Sequence, residues 1–102
     1  MGKCTVIIMI ASPLTSRWFN SFCMDELASI FDLEYWDLAG LANPTYEARE
    51  EDIIARDYSK RIDTLSELRR NLKQLSYDAV ILSHIHMNEH NYKLHKLISS
   101  YH

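Results

Sequence analysis

Three histidines lie close together near the carboxyl end of the chain, in the segment VILSHIHMNEH at residues 80–90. His84 and His86 are two positions apart, so both face the same side if a strand continues that far. His90 falls about one turn inside the helix that we expect to follow. An imidazole can bind zinc, or it can act as a general base near neutral pH.

The spacing of these histidines matches no specific metal-binding motif. Glu89 is the one nearby carboxylate that could orient an imidazole ring. We therefore expect no metal site here. The catalytic residues stay unassigned, with His84 and His86 as the candidates.

Hydroxyl side chains follow the first apolar run of the sequence. Ser12, Thr15 and Ser16 come directly after it, and hydroxyls in front of a helix can hold a phosphate or cap the helix. We favour capping, because the loop SPLTSRW contains no glycine. Without a glycine-rich loop the backbone cannot approach a pyrophosphate closely, so we expect no dinucleotide and no other cofactor.

A strand and a helix precede these candidates in the pattern of the chain. The β-branched run TVIIMIA, at residues 5–11, is typical of a strand buried on both faces, and Pro13 ends it. Apolar residues then recur at helical spacing through RWFNSFCMDELASIF. This spacing predicts one helix whose buried stripe includes Cys23 and Ile30.

The second strand is predicted from LEYWDLAG, at residues 33–40, and its aromatic residues Tyr35 and Trp36 are expected in the core. Asp37 near its end has the place of a polar strand terminus. Residues 45–63 are charged and weakly periodic, and they could hold a short helix, a short extended segment at 60–62, or both.

A further helix and strand complete the pattern. Thr64 and Glu67 form a capping box, which predicts a helix ending near Ser76. The run DAVILSH at residues 78–84 predicts the third clear strand, and Asn88 can cap a last helix.

Strands that alternate with helices predict an α/β fold with right-handed crossovers. We expect a three-layer, Rossmann-like (flavodoxin-like) parallel sheet of three to four strands, with the first strand central and helices on both faces. Ligands of such sheets bind beyond the carboxyl ends of the strands. The predicted ligand-binding rim comprises Ser12, Thr15, Ser16, Asp37, Gly40, Ser83 and His84.

The length of 102 residues bounds the chain to one domain, spanning residues 1–102. A net charge of -3 gives no electrostatic reason to expect a nucleic acid partner. No apolar run approaches the roughly 20 residues that a membrane-spanning helix needs, so no membrane span is expected. Two cysteines without framework spacing indicate buried thiols in a reducing compartment, which predicts a cytoplasmic protein.

Three segments carry a family resemblance: IASPLTSRWFNSFCMDEL, FDLEYWDLAG and RIDTLSELRRNLKQLSYDAVILSH. A hydrophobic strand leads into a helix, an aromatic and acidic second strand follows, and a helix and strand come after a variable stretch. The pattern resembles the N-terminal region of bacterial surface-polysaccharide glycosyltransferases and related biosynthesis proteins of GT-B type. It covers most of the chain.

This resemblance implies part of a larger N-terminal glycosyltransferase domain, on the side that binds a sugar or glycolipid acceptor. Enzymes of GT-B type place the active site between two Rossmann-like domains, and the C-terminal domain holds most of the sugar nucleotide. The chain would therefore need a missing C-terminal domain or a partner chain, a homo-oligomer included, and would be catalytically incomplete alone. The alternative is a non-enzymatic α/β module that binds a protein or a small ligand.

Overall fold

Four parallel strands form one sheet in a computed structural model of the chain, which describes residues 4–42, 53–75, 78–84 and 96–99. The strands are β1 (Thr5–Ile10), β2 (Asp32–Asp37), β3 (Ser59–Arg61) and β4 (Val80–His84). Their order is β3-β2-β1-β4, so β1 lies inside the sheet between β2 and β4. The predicted Rossmann-like α/β fold with an interior first strand is confirmed, and the extended segment expected near residues 60–62 is β3.

Helices cover both faces of this sheet. They are α1 (Ser16–Ser21), α2 (Met24–Ile30), α3 (Ala39–Ala42) and α4 (Leu65–Gln74), and residues 96–99 are also helical. One hydrophobic cluster joins β1 and β2 to α1 and α2, and a second joins their opposite faces to α4 and Ile98. Since β1 contributes to both clusters, its residues after Thr5 are all buried, which explains the continuous apolar run.

The helix expected after β1 is divided in two, which corrects the prediction of a single helix. Phe22 ends α1, and Cys23 has a φ of 49°, in the left-handed region that side chains disfavour. This residue turns α2 relative to α1, so the buried position falls on Met24. Ile30, expected in the buried stripe, is 62% exposed instead.

Both cysteines are exposed, which corrects the expectation of buried thiols. Cys4 precedes β1, and Cys23 lies at the break between α1 and α2. The second strand also ends earlier than predicted, at Asp37, and Gly40 belongs to α3. The backbone N–H of Leu38 still donates to the carbonyl of Ile10, so pairing with β1 continues past the end of β2.

The start of α4 follows its sequence signal. The backbone N–H of Glu67 donates to Oγ1 of Thr64 at 3.1 Å, which is one half of the predicted capping box. Leu68 and Leu72 are then buried against the sheet. Asn88, the predicted cap of the last helix, lies outside the described residues.

Tyr35 connects β2 to the loop that follows β1. Its ring is fully buried, and its hydroxyl donates to the carbonyl of Ser12 at 2.7 Å, with the carbonyl of Pro13 at 3.3 Å. Two loop carbonyls that leave the strand ladder thus gain a donor inside the protein. The position of this loop therefore depends on a side chain of the neighbouring strand.

Replacing Tyr35 with phenylalanine leaves the Ser12 carbonyl without this donor. We expect Tyr35→Phe to lower the free energy of unfolding by about 1–2 kcal/mol, the usual effect of stranding a buried acceptor. Urea unfolding measures it. The matched control is Tyr58→Phe, which removes a hydroxyl bonded to the exposed Asp25 and should cost less. Equal losses in the two variants would contradict this role of Tyr35.

Candidate functional site

The carboxyl ends of three strands meet at one edge of the sheet. Asp37 at the end of β2 and His84 at the end of β4 both pair in register with Ile10 of β1. Partners in a parallel ladder share a face of the sheet. This face is the one that α1 and α2 cover, since Ile10 belongs to their cluster. Asp37 and His84 therefore occupy register positions on either side of one buried strand.

Asp37 is a buried carboxylate, with 5% of its surface exposed. Its Oδ1 accepts the backbone N–H of Ala39 at 2.9 Å, which closes the turn into α3. Its main-chain carbonyl accepts the N–H of Ile62 at 2.9 Å. Among the described residues, Oδ2 has no hydrogen-bond partner. A buried carboxylate oxygen is usually satisfied by a donor from protein, water or ligand.

Burial raises the pKa of Asp37 above its ordinary value of 3.8. The Ala39 N–H and the positive charge of Arg61 oppose that effect, and the charge of Asp63 adds to it. An environment that penalises the ionised form makes this carboxylate a stronger proton acceptor than an exposed one. It is the one rim carboxylate named by the sequence prediction.

Ser12 also lies on this rim, but its hydroxyl is engaged locally. Oγ of Ser12 donates to the carbonyl of Pro13 at 2.9 Å, and the residue is buried. Its oxygen lone pairs remain able to accept a hydrogen bond. The prediction that Ser12 borders the rim is consistent with its position, while its proton is used by its own loop.

Thr15 is the N-cap residue of α1, as predicted, but its side chain makes no capping hydrogen bond. Its backbone forms an antiparallel bridge with Ile53, and the residue is buried. Ser16 is the first residue of α1 and is exposed.

Gly40 lies against Asp63, which follows β3. A Cβ on Gly40 would collide with Oδ1 of Asp63 and would lie 3.3 Å from its Cα. Asp63 also accepts a hydrogen bond from Nε of Arg61 at 2.6 Å, and this ion pair raises the pKa of Arg61. The glycine thus permits the close approach of α3 to the β3–α4 loop, a packing role in addition to its place on the rim.

Ser83, His86 and His90 are the remaining residues named by the sequence analysis. Ser83 is exposed and pairs with Met9, which places it on the face opposite Asp37. His86 and His90 lie outside the described residues. Within the ranges that the structure describes, no group of three or more histidine, cysteine, aspartate or glutamate side chains could hold a metal ion.

A second polar cluster is centred on Asp25 of α2, a residue that the sequence pattern did not mark as a site candidate. Arg56 binds the Asp25 carboxylate through Nε at 3.0 Å and Nη2 at 3.1 Å, and its guanidinium lies over the ring of Phe19. The hydroxyl of Tyr58 donates to Oδ1 at 3.0 Å, and burial raises its pKa to about 12. This cluster could not be predicted from the sequence, because Arg56 and Tyr58 lie more than thirty residues from Asp25, in a stretch without clear periodicity.

A cavity of about 460 Å³ opens beside that cluster, toward the amino end of β2. It is lined by Ala28, Phe31, Asp32, Leu33, Glu34, Asp57, Tyr58 and Lys60. This is the end of the sheet opposite the predicted rim, so the two features are separate candidate binding places.

Comparison with known proteins adds no family. No protein-family model matches the chain, and no curated protein and no solved structure matches it. In the described part of the chain, every helix is too short or too polar to cross a membrane.

The raised pKa of Asp37 predicts how its replacement responds to pH. Because the folded pKa lies above the unfolded one, the stability that Asp37 contributes is present below pH 3.8 and is lost as the pH rises through the folded pKa. The stability of Asp37→Asn relative to the wild type should therefore increase over that interval. Urea unfolding across the acid range measures the difference.

Asp25→Asn is the control, for which we expect the opposite trend of stability with pH. In the wild type the hydrogen bond from Arg56 lowers the pKa of Asp25. The ionised carboxylate therefore stabilises the fold above its unfolded pKa, and that stability is lost on acidification. The stability of Asp25→Asn relative to the wild type should decrease as the pH rises. Parallel trends for the two variants would contradict the assigned environments.

Gly40→Ala should change the free energy of unfolding by less than about 1 kcal/mol, because two effects of similar size oppose each other. Alanine favours the helix α3, whereas its methyl group displaces the Asp63 side chain from Arg61. The Asp63→Ala background removes the carboxylate that the methyl group meets, so Gly40→Ala should be more favourable there, as measured by a double-mutant cycle. Additive effects would show that Asp63 is not the obstacle.

Proposed function

We propose that this chain is an acceptor-side, Rossmann-like domain of a glycosyltransferase-like polysaccharide biosynthesis protein. The domain binds a sugar or glycolipid acceptor at the rim formed by the carboxyl ends of β1, β2 and β4. A single Rossmann-like unit lacks the second domain that holds the sugar nucleotide in proteins of this type. Transfer therefore requires another domain or a partner chain.

The observation that carries the proposal is the buried Asp37 carboxylate at the end of β2. Oδ1 is committed to the Ala39 N–H, while Oδ2 has no partner among the described residues. A carboxylate accepts charge-assisted hydrogen bonds from hydroxyl groups, which are stronger than neutral ones. A polyhydroxylated ligand supplies such donors, and parallel sheets of this kind bind ligands at this edge.

The same environment supports a role in acceptor activation. Sugar transfer needs the acceptor hydroxyl to lose its proton, and a carboxylate with a raised pKa accepts one more readily. His84 has the register position on the other side of Ile10 and is the second candidate for that proton transfer. The donor sugar is left to the second domain.

A non-enzymatic interaction module is the alternative, and one observation favours it. Val80 is 44% exposed and Leu82 is 46% exposed, both on the edge strand β4. Apolar side chains on a strand edge are typical of surfaces that bind another protein.

Titration followed by amide NMR tests the proposal. Oligosaccharides of varied linkage should shift signals of residues 12–16, 37–41 and 83–84, whereas UDP-glucose alone should not. Asp37→Asn should weaken oligosaccharide binding about tenfold, equivalent to the loss of a charged hydrogen bond worth about 1.5 kcal/mol.

The matched control is Asp32→Asn, at the exposed amino end of the same strand, which should bind as the wild type does. Shifts confined to the cavity around Asp32 and Tyr58 would contradict the rim site. If no saccharide shifts the rim at concentrations up to about 1 mM, the interaction module is favoured instead.

A further inference from the structure

The two edges of the sheet differ in how they are protected from pairing with another strand. β3 has three residues, two of them the cations Lys60 and Arg61. Lys60 also donates to Asn71 at 2.7 Å and forms an ion pair with Glu34 at 3.1 Å. Short length and charge are the usual protections of an edge strand.

The edge at β4 has neither protection. Its residues 80–83, VILS, include no charged side chain and no proline. Val80 and Leu82 are about half exposed, and among the described residues β4 pairs with β1 alone. An uncharged apolar edge strand with free backbone groups is a template for another strand.

We propose that two copies of this chain associate through β4, which pairs antiparallel with β4 of the partner about a two-fold axis at Ile81. The two four-stranded sheets then form one continuous sheet. This goes beyond the proposed function and does not depend on which ligand the rim binds.

The register identifies a second copy as the occupant. About an axis at Ile81, Val80 lies opposite Leu82 of the partner subunit, so each exposed apolar side chain meets the other. Asp78, which is exposed, falls opposite the register position of His84 in the partner subunit. An acidic and a basic residue type therefore face each other twice, as an isologous interface requires.

An axis at either neighbouring residue loses this match. At Val80, the carboxylate of Asp78 would face Leu82 of the partner subunit; at Leu82, the apolar Val80 would face the partner's His84. Only the axis at Ile81 pairs apolar with apolar and acid with base within the described part of β4 and its approach.

The dimer would add a residue to the candidate site. His84 ends β4 at the rim, and the partner's Asp78 would come beside it from the adjacent strand. Each rim would then consist of residues from two chains.

Light scattering after gel filtration tests the assembly. The wild type should have twice the 12.0 kDa mass of one chain. Leu82→Lys places a charge on the edge and should yield the monomer, while Ile30→Lys, at a more exposed apolar residue on α2, should leave the dimer intact. A wild type that is monomeric up to about 1 mM, or Leu82→Lys that remains dimeric, would overturn the proposal.

Disulfide cross-linking tests the register in a Cys4→Ser, Cys23→Ser background. Ile81→Cys faces its own copy at a distance that a disulfide can span, so oxidation should give a covalent dimer. Ser83→Cys faces Ala79 of the partner subunit and should remain monomeric under denaturing conditions. Cross-linking of Ser83→Cys in place of Ile81→Cys would reject this pairing and point to another mode of association.

Discussion

The carboxylate and carbonyl of Asp37 hold together the carboxyl edge of the sheet. Oδ1 accepts the Ala39 N–H, and the carbonyl accepts the Ile62 N–H, so the end of β2 fixes both α3 and the segment after β3. A buried carboxylate is unfavourable unless it is hydrogen bonded, and this one is bonded through a single side-chain oxygen within the described residues. Oδ2, which has no partner among the described residues, is the atom at which we propose that a ligand hydroxyl binds.

Two further residues, Tyr35 and Gly40, position the loops at that edge of the sheet. Tyr35 donates its hydroxyl to the Ser12 carbonyl, which holds the loop after β1 against β2. Gly40 lets α3 approach Asp63, because any side chain there would meet it. Among the described strands β4 forms an edge of the sheet and ends at this rim, so a second copy paired there would add residues to the rim from outside.

The sequence predicts the layers of this fold well, because burial on both faces of β1 imposes a continuous apolar run, and α4 carries a capping signal at Thr64. It does not predict features that depend on the backbone conformation of a single residue or on contacts between distant segments. The left-handed backbone of Cys23 divides a helix whose apolar spacing runs through it. The bidentate pair of Arg56 with Asp25 joins distant segments, and no spacing rule could find it. Of the site, the rim position of Asp37 was predictable, but its burial was not.

The pKa of the Asp37 carboxyl, measured from its ¹³Cγ chemical shift across the acid range, decides whether this group binds a ligand. We expect a value above 3.8 in the free protein, because burial disfavours the charge. We expect a lower value when an oligosaccharide is bound, because hydroxyl donors stabilise the ionised form. A pKa at or below 3.8, or one that no saccharide changes, would contradict a ligand site built on Asp37.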